Sequence, residues 1–165
     1  MIALKILEIK SFMAKLFQKN DFDNFLVSEV EVQTAGGYKI NGHRNHSFYS
    51  EEELESLKEP DFLSWAELKQ LVFFMIRGNK TPQLLSVVFR LTDQDIEQLL
   101  IDSGTKISRQ EISGAYFNIK YQAGELVIIT GTSFYTFVLD KAFERMVDSY
   151  AKEFLREKEI AAEEL

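Results

Sequence analysis

The 165-residue sequence has no cysteine, which excludes disulfides and thiolate metal centres outright. Histidine is nearly as scarce: His43 and His46 are the only two, so imidazole chemistry has one place to occur. No apolar run exceeds Leu71–Ile76, far below the roughly 20 residues that cross a bilayer as a helix, and no membrane association is expected. Basic charge is in short supply. Nineteen Lys and Arg face 26 Asp and Glu, a net charge of −7, and that field opposes nucleic acid and anionic lipid. The opening Met1-Ile2-Ala3-Leu4-Lys5-Ile6 lacks the basic stretch, apolar run and small-residue cleavage site of a secretion signal. The expectation is a soluble cytoplasmic protein.

What the chain does have is apolar bulk, with 45% hydrophobic residues and 14 Phe. That suffices for one domain, 1–165, with a real core. A faint internal echo organises it. Gln33-Thr34-Ala35-Gly36-Gly37-Tyr38-Lys39-Ile40-Asn41-Gly42 resembles Gln122-Ala123-Gly124-Glu125-Leu126-Val127-Ile128-Ile129-Thr130-Gly131. Each stretch follows an apolar strand and an amphipathic helix, and two such units suggest pseudo-symmetric halves.

The first unit, about 1–49, reads as a strand at 2–7, a helix at 9–18 with Phe12, Met13, Leu16 and Phe17 on one face, and strands at 25–32 and 38–41. A short extra strand is expected at 46–49. A helical insertion follows, about 50–78. Ser50 with Glu53, and Ser64 with Glu67, have capping-box spacing. The second of these helices is apolar nearly all round in its last half, at Phe73 and Phe74, which predicts burial between layers. Gly78 is expected as its left-handed cap, with Pro82 forbidding continuation. The second unit, about 83–139, repeats the order: a strand at 84–91, a helix from Thr92 to Gly104, strands at 115–121 and 126–130, and a third strand at 134–139. Asp140 is placed to cap a long C-terminal helix, about 140–158, and the acidic tail beyond is expected to fray. Strand pairs joined by tight turns are antiparallel, so the fold class is α+β: antiparallel sheet with helices packed on it.

Several constellations could carry chemistry. His43 and His46, with Glu51 or Glu52, would make a two-His, one-carboxylate metal set. No third ligand is pinned by spacing, so a solvent-facing polar loop is expected and no metal. Arg77, Asn79, Lys80 and Thr81 form a donor-rich loop suited to a phosphate or carboxylate. The competing account is that cations at a helix C-terminus complement its dipole. Thr130-Gly131-Thr132-Ser133 lacks the lysine and glycine spacing of a phosphate loop and reads as a turn or bulge. The aromatic set Tyr116, Phe117, Tyr121, Phe134, Tyr135 and Phe137 reads as core and cross-strand pairs, and Trp65 as a core or seam anchor. No catalytic residue and no cofactor is indicated.

Met1-Ile2-Ala3-Leu4-Lys5-Ile6, Gly42-His43, Arg77-Gly78-Asn79-Lys80-Thr81-Pro82, Gly131-Thr132-Ser133 and Asp140-Lys141 together resemble a family of short clostridial (Firmicutes) proteins catalogued as a domain of unknown function. That resemblance implies a bacterial cytosolic protein and brings no activity, cofactor or site residue. The order of elements is also similar to one domain of a DNA polymerase sliding clamp, whose repeated helices turn basic residues to DNA. Lys10, Lys15 and Lys19 in the first helix fit that pattern. Asp93, Asp95, Glu97 and Asp102 in the second do not.

Three functions follow as expectations. The first is a non-enzymatic binding or assembly module, its partner a second copy or another protein. The second is a small-molecule or anion-binding domain or enzyme with a pocket near His43, Arg77 and Lys80. The third is a clamp-like nucleic-acid-associated protein, which the net charge disfavours.

Overall fold

The segment with the cleanest alternation builds the centre of the molecule. In the computed structural model, which describes residues 1–165, Ala115, Phe117 and Ile119 point into the core while Lys120 and Gln122 face solvent. This strand, β5 (Ile112–Gln122), pairs on one side with β4 (Leu84–Arg90) and on the other with β6 (Glu125–Phe134). The first unit supplies β1 (Ala3–Ile6), α1 (Ile9–Phe17), β2 (Leu26–Gln33) and β3 (Gly37–Asn41). The insertion is α2 (Glu51–Ser56) and α3 (Trp65–Ile76). Helix α4 (Asp93–Ser103) follows β4, and α5 (Ala142–Glu157) and a short β7 (Ala162–Glu164) complete the chain. The strands form one antiparallel sheet in the order β3-β2-β4-β5-β6-β1-β7.

The strand–helix–strand–strand order recurs as expected, but its pairings do not. In the second unit β4 pairs with its own β5. In the first, β1 leaves β2 and crosses to β6 of the other unit. The halves therefore interlock in one sheet. A single hydrophobic cluster joins one sheet face to α1, α3, α4 and α5. Its centre is phenylalanine. Phe25 stacks on Phe89 with centroids 5.2 Å apart, and Phe154 of α5 meets Phe25 edge-on at 5.1 Å. The opposite sheet face, with Glu29, Ser86, Asn118 and Ile129, carries no helix.

Six local expectations are corrected. Residues His46–Phe48 form a 3-10 turn, not a strand. The third strand of the second unit is missing because β5 begins at Ile112, opposite Phe134, and the chain before it is a 3-10 turn that takes one bond from the Tyr135 amide and offers no ladder. Tyr135 and Phe137 consequently lie open, 73% and 88% exposed, instead of in the core. The tail does not fray: Ile160 is buried and β7 adds to the free edge of β1. Helix α3 ends through extended Arg77, with Gly78 at φ +150° instead of a left-handed cap; α4 does use Gly104 that way, at φ +64°. Finally, α3 is covered on one side only. Trp65, Leu68 and Val72 are buried, whereas Leu71, Phe73 and Phe74 are 49%, 41% and 63% exposed; Phe73 meets only the edge of α1 at Phe17, and Arg77 lies over Phe74.

Candidate functional site: an apolar groove between α1 and α3

Polar chemistry gathers at the two ends of β2. At its beginning, the insertion returns as a wedge. Residues 61–64 enter between the start of β2 and the continuation of β3: the Val27 amide donates to the Leu63 carbonyl, Leu63 donates to Gly42, and Arg44 donates to Asp61. The Arg44 side chain holds the wedge from inside. Its guanidinium donates to both carboxylate oxygens of Glu67 at 2.9 and 3.0 Å, to the carbonyls of Glu59 and Phe62, and to the Tyr49 hydroxyl. The two histidines belong to this joint. His43 contacts Asn41 Oδ1 and lies against the Phe62 ring; His46 is 2.7 Å from the Pro60 carbonyl oxygen. No three His, Asp or Glu side chains gather where a metal could sit.

Partial burial pushes the Glu67 carboxyl up, but hydrogen bonds from Arg44 and Ser64 outweigh it and hold the group below its ordinary value. Such a carboxylate contributes stability above its unfolded pKa and loses it as pH falls through the depressed folded value. Glu67→Gln should therefore cost stability at neutral pH and progressively less toward about pH 3. Urea midpoints across that range check this; a constant difference between the two proteins would refute the charge–charge account. Arg44→Met should cost about 1–3 kcal/mol, because Glu67 is exposed enough to be rehydrated. Glu59 behaves oppositely: burial and the nearby Asp93 raise its carboxyl above the ordinary value.

At the far end of β2 the chain emerges from α3 and runs into β4, where the Gln83 amide donates to the Gln33 carbonyl. Helices α1 and α3 touch near Phe17, whose ring lies 5.6 Å from those of both Trp65 and Phe73. The buried Trp65 Nε1 donates to the Leu16 carbonyl, and Lys69 Nζ to the Lys19 carbonyl and Asp23. Beyond that contact a groove of about 380 Å³ opens, lined by Met13 and Phe17 of α1, Phe73 and Ile76 of α3, Pro82 and Tyr121. Lys10, Gln18 and Thr81 are its polar members. A second hollow, about 400 Å³, lies beside β7 and α5 among Leu4, Leu155, Ile160 and the paired Lys152 and Glu164.

The loop of Arg77, Asn79, Lys80 and Thr81 borders the α1–α3 groove. Arg77 lays its guanidinium over the Phe74 ring, 4.5 Å from the centroid. Thr81 and Pro82 close the groove, and Asn79 and Lys80 stand exposed. Lys10, Arg77 and Lys80 pair with no carboxylate of the chain. The structure does not bring His43 to this loop. The Gly42 amide bonds Ser28 and the Gln83 amide bonds Gln33, so the two regions sit at opposite ends of β2.

A family model covers residues 15–163, nearly everything described above. The chain belongs to a family of unknown function, DUF5721. No curated protein and no solved structure matches it. The match takes in the Arg44 joint and the groove residues from Phe17 in α1 to Tyr121, while Ile9, Lys10, Met13 and Ala14 precede it. No helix is long and apolar enough to cross a membrane.

The histidines drew attention in the sequence, whereas the buried Arg44 between them did not. Its partner Glu67 is 23 residues away, and no local spacing links the two. The groove had a signal, the Phe73-Phe74 run, but that run reads equally as core.

Proposed function

We propose that this protein is a non-enzymatic docking module of the cytoplasm, whose α1–α3 groove receives an apolar protein segment flanked by acidic residues. The observation that carries the reading is the pairing of an apolar groove with unpartnered cations at its edge. Phe73 in the groove is 41% exposed and Phe74 next to it 63% exposed, and exposed apolar surface of this kind is where partners bind. In a chain of net charge −7, Lys10, Arg77 and Lys80 give this one region the opposite sign. A flanking carboxylate would meet charges that no internal partner has neutralised.

Fluorescence anisotropy with two labelled synthetic peptides tests it. Both carry the same Phe and Leu anchors, one flanked by Glu and the other by Lys. The Glu-flanked peptide should bind, more weakly as salt rises, and Phe73→Glu should weaken it at least tenfold. Equal binding of both peptides, or binding of neither, counts against the groove.

A further inference from the structure

We infer that the groove's occupant is the 48–57 segment of a second copy of this chain, so that copies associate head to tail. The inference rests on the groove reading above and adds its partner. Phe48 is 81% exposed, its ring meeting only that of Tyr49. It leads directly into α2, where the Ser50–Glu53 capping box fixes the first turn. Glu51, Glu52 and Glu55 are exposed and have no cation partner within the chain. An exposed aromatic anchor followed by three unpaired carboxylates is what an apolar groove edged by three unpaired cations would recognise.

A copy's own groove is out of reach. The 48–57 segment belongs to the joint at the start of β2 and the groove lies at its end. The five-residue step from Ser28 to Gln33 alone spans about 16 Å at roughly 3.3 Å per residue. The joint is also held by Arg44 and the wedge. Donor and acceptor are different surfaces, so the contact is heterologous and propagates into rings or open chains instead of closing as an isologous pair.

Analytical ultracentrifugation of the full chain over a dilution series is the test. The mass of the unaltered protein should rise with concentration beyond a dimer and fall back as salt is added. A groove variant, Arg77→Glu with Lys80→Glu, and an anchor variant, Phe48→Ser, should each associate at least tenfold more weakly. Mixed one to one, they should form a dimer and nothing larger, since the mixture retains one intact groove and one intact anchor per pair. All three positions are exposed, and circular dichroism confirms that each variant is folded. A chain that stays monomeric at its highest attainable concentration overturns the inference, as does a mixture that forms no dimer. If the Glu-flanked peptide still binds in that case, the groove reading stands with a different protein as occupant; if it does not, both fall.

Discussion

Trp65→Ala should lower stability by about 3–5 kcal/mol, within the range for removing a fully buried large aromatic side chain. Trp65 is 0% exposed and sits where three elements meet. Its ring packs against Phe17 of α1 and, at 5.3 Å, edge-on against Phe89 of β4, while its indole N–H donates to Leu16 at 2.7 Å. Alanine leaves a cavity under α3 that the sheet cannot collapse to fill, and strands a carbonyl at the end of α1. Trp65→Phe separates the two costs: it keeps most of the contact and loses the hydrogen bond, for about 1–3 kcal/mol. Urea midpoints followed by far-UV circular dichroism measure both. A Trp65→Ala loss under about 1 kcal/mol would mean that α3 does not seat on the core through this residue. The same substitution should also weaken binding of the Glu-flanked peptide, because Trp65 sets the crossing of α1 and α3 from which the groove opens.

Local pattern carried most of the elements. Alternation at Ala115–Tyr121, the Ser50 and Ser64 capping boxes, and the helix start at Thr92 and stop at Gly104 are each specified by neighbours a few residues away, and each is found. Asp140 likewise accepts from the Ala142 amide at the head of α5. What local pattern does not carry is who pairs with whom. The choice of β6 over β2 as partner for β1 depends on residues more than 120 positions apart, such as Ala3 and Ile129. Ala162-Glu163-Glu164 has weak strand character; it becomes β7 because β1 has a free edge and Ile160 anchors the approach. The converse holds at Tyr135–Leu139: after the Tyr135 amide donates to the Glu111 carbonyl, these strand-forming residues join no ladder. The candidate site was half legible for the same reason. Arg77, Lys80 and Thr81 were marked by their chemistry, yet their surroundings, with Phe74 beneath the guanidinium and exposed apolar side chains on α3, are decided only by packing.

Gly42→Ala should cost about 3 kcal/mol or more, whereas Gly131→Ala should change stability by no more than about 0.5 kcal/mol. The internal echo makes these glycines equivalent; their surroundings do not. At Gly42 a Cβ would overlap the backbone carbonyl of Val27. That carbonyl cannot rotate aside, because β2 is held on both sides: Val27 by the wedge residue Leu63 and Ser28 by the Gly42 amide. Relief requires the 42–44 segment to move away, which breaks its bonds to Ser28 and Leu63 and withdraws Arg44 from Glu67. At Gly131 the nearest atom to an added Cβ is Asn118 Nδ2 at 3.6 Å, an ordinary contact at the end of a side chain. Alanine there restricts the unfolded chain with little cost to the folded one. Urea midpoints of the two variants decide the matter. Similar losses at both positions would mean that the echo, and not the wedge, determines what these glycines do. A large loss at Gly42 alone would place the constraint in the close approach between the wedge, β2 and the end of β3.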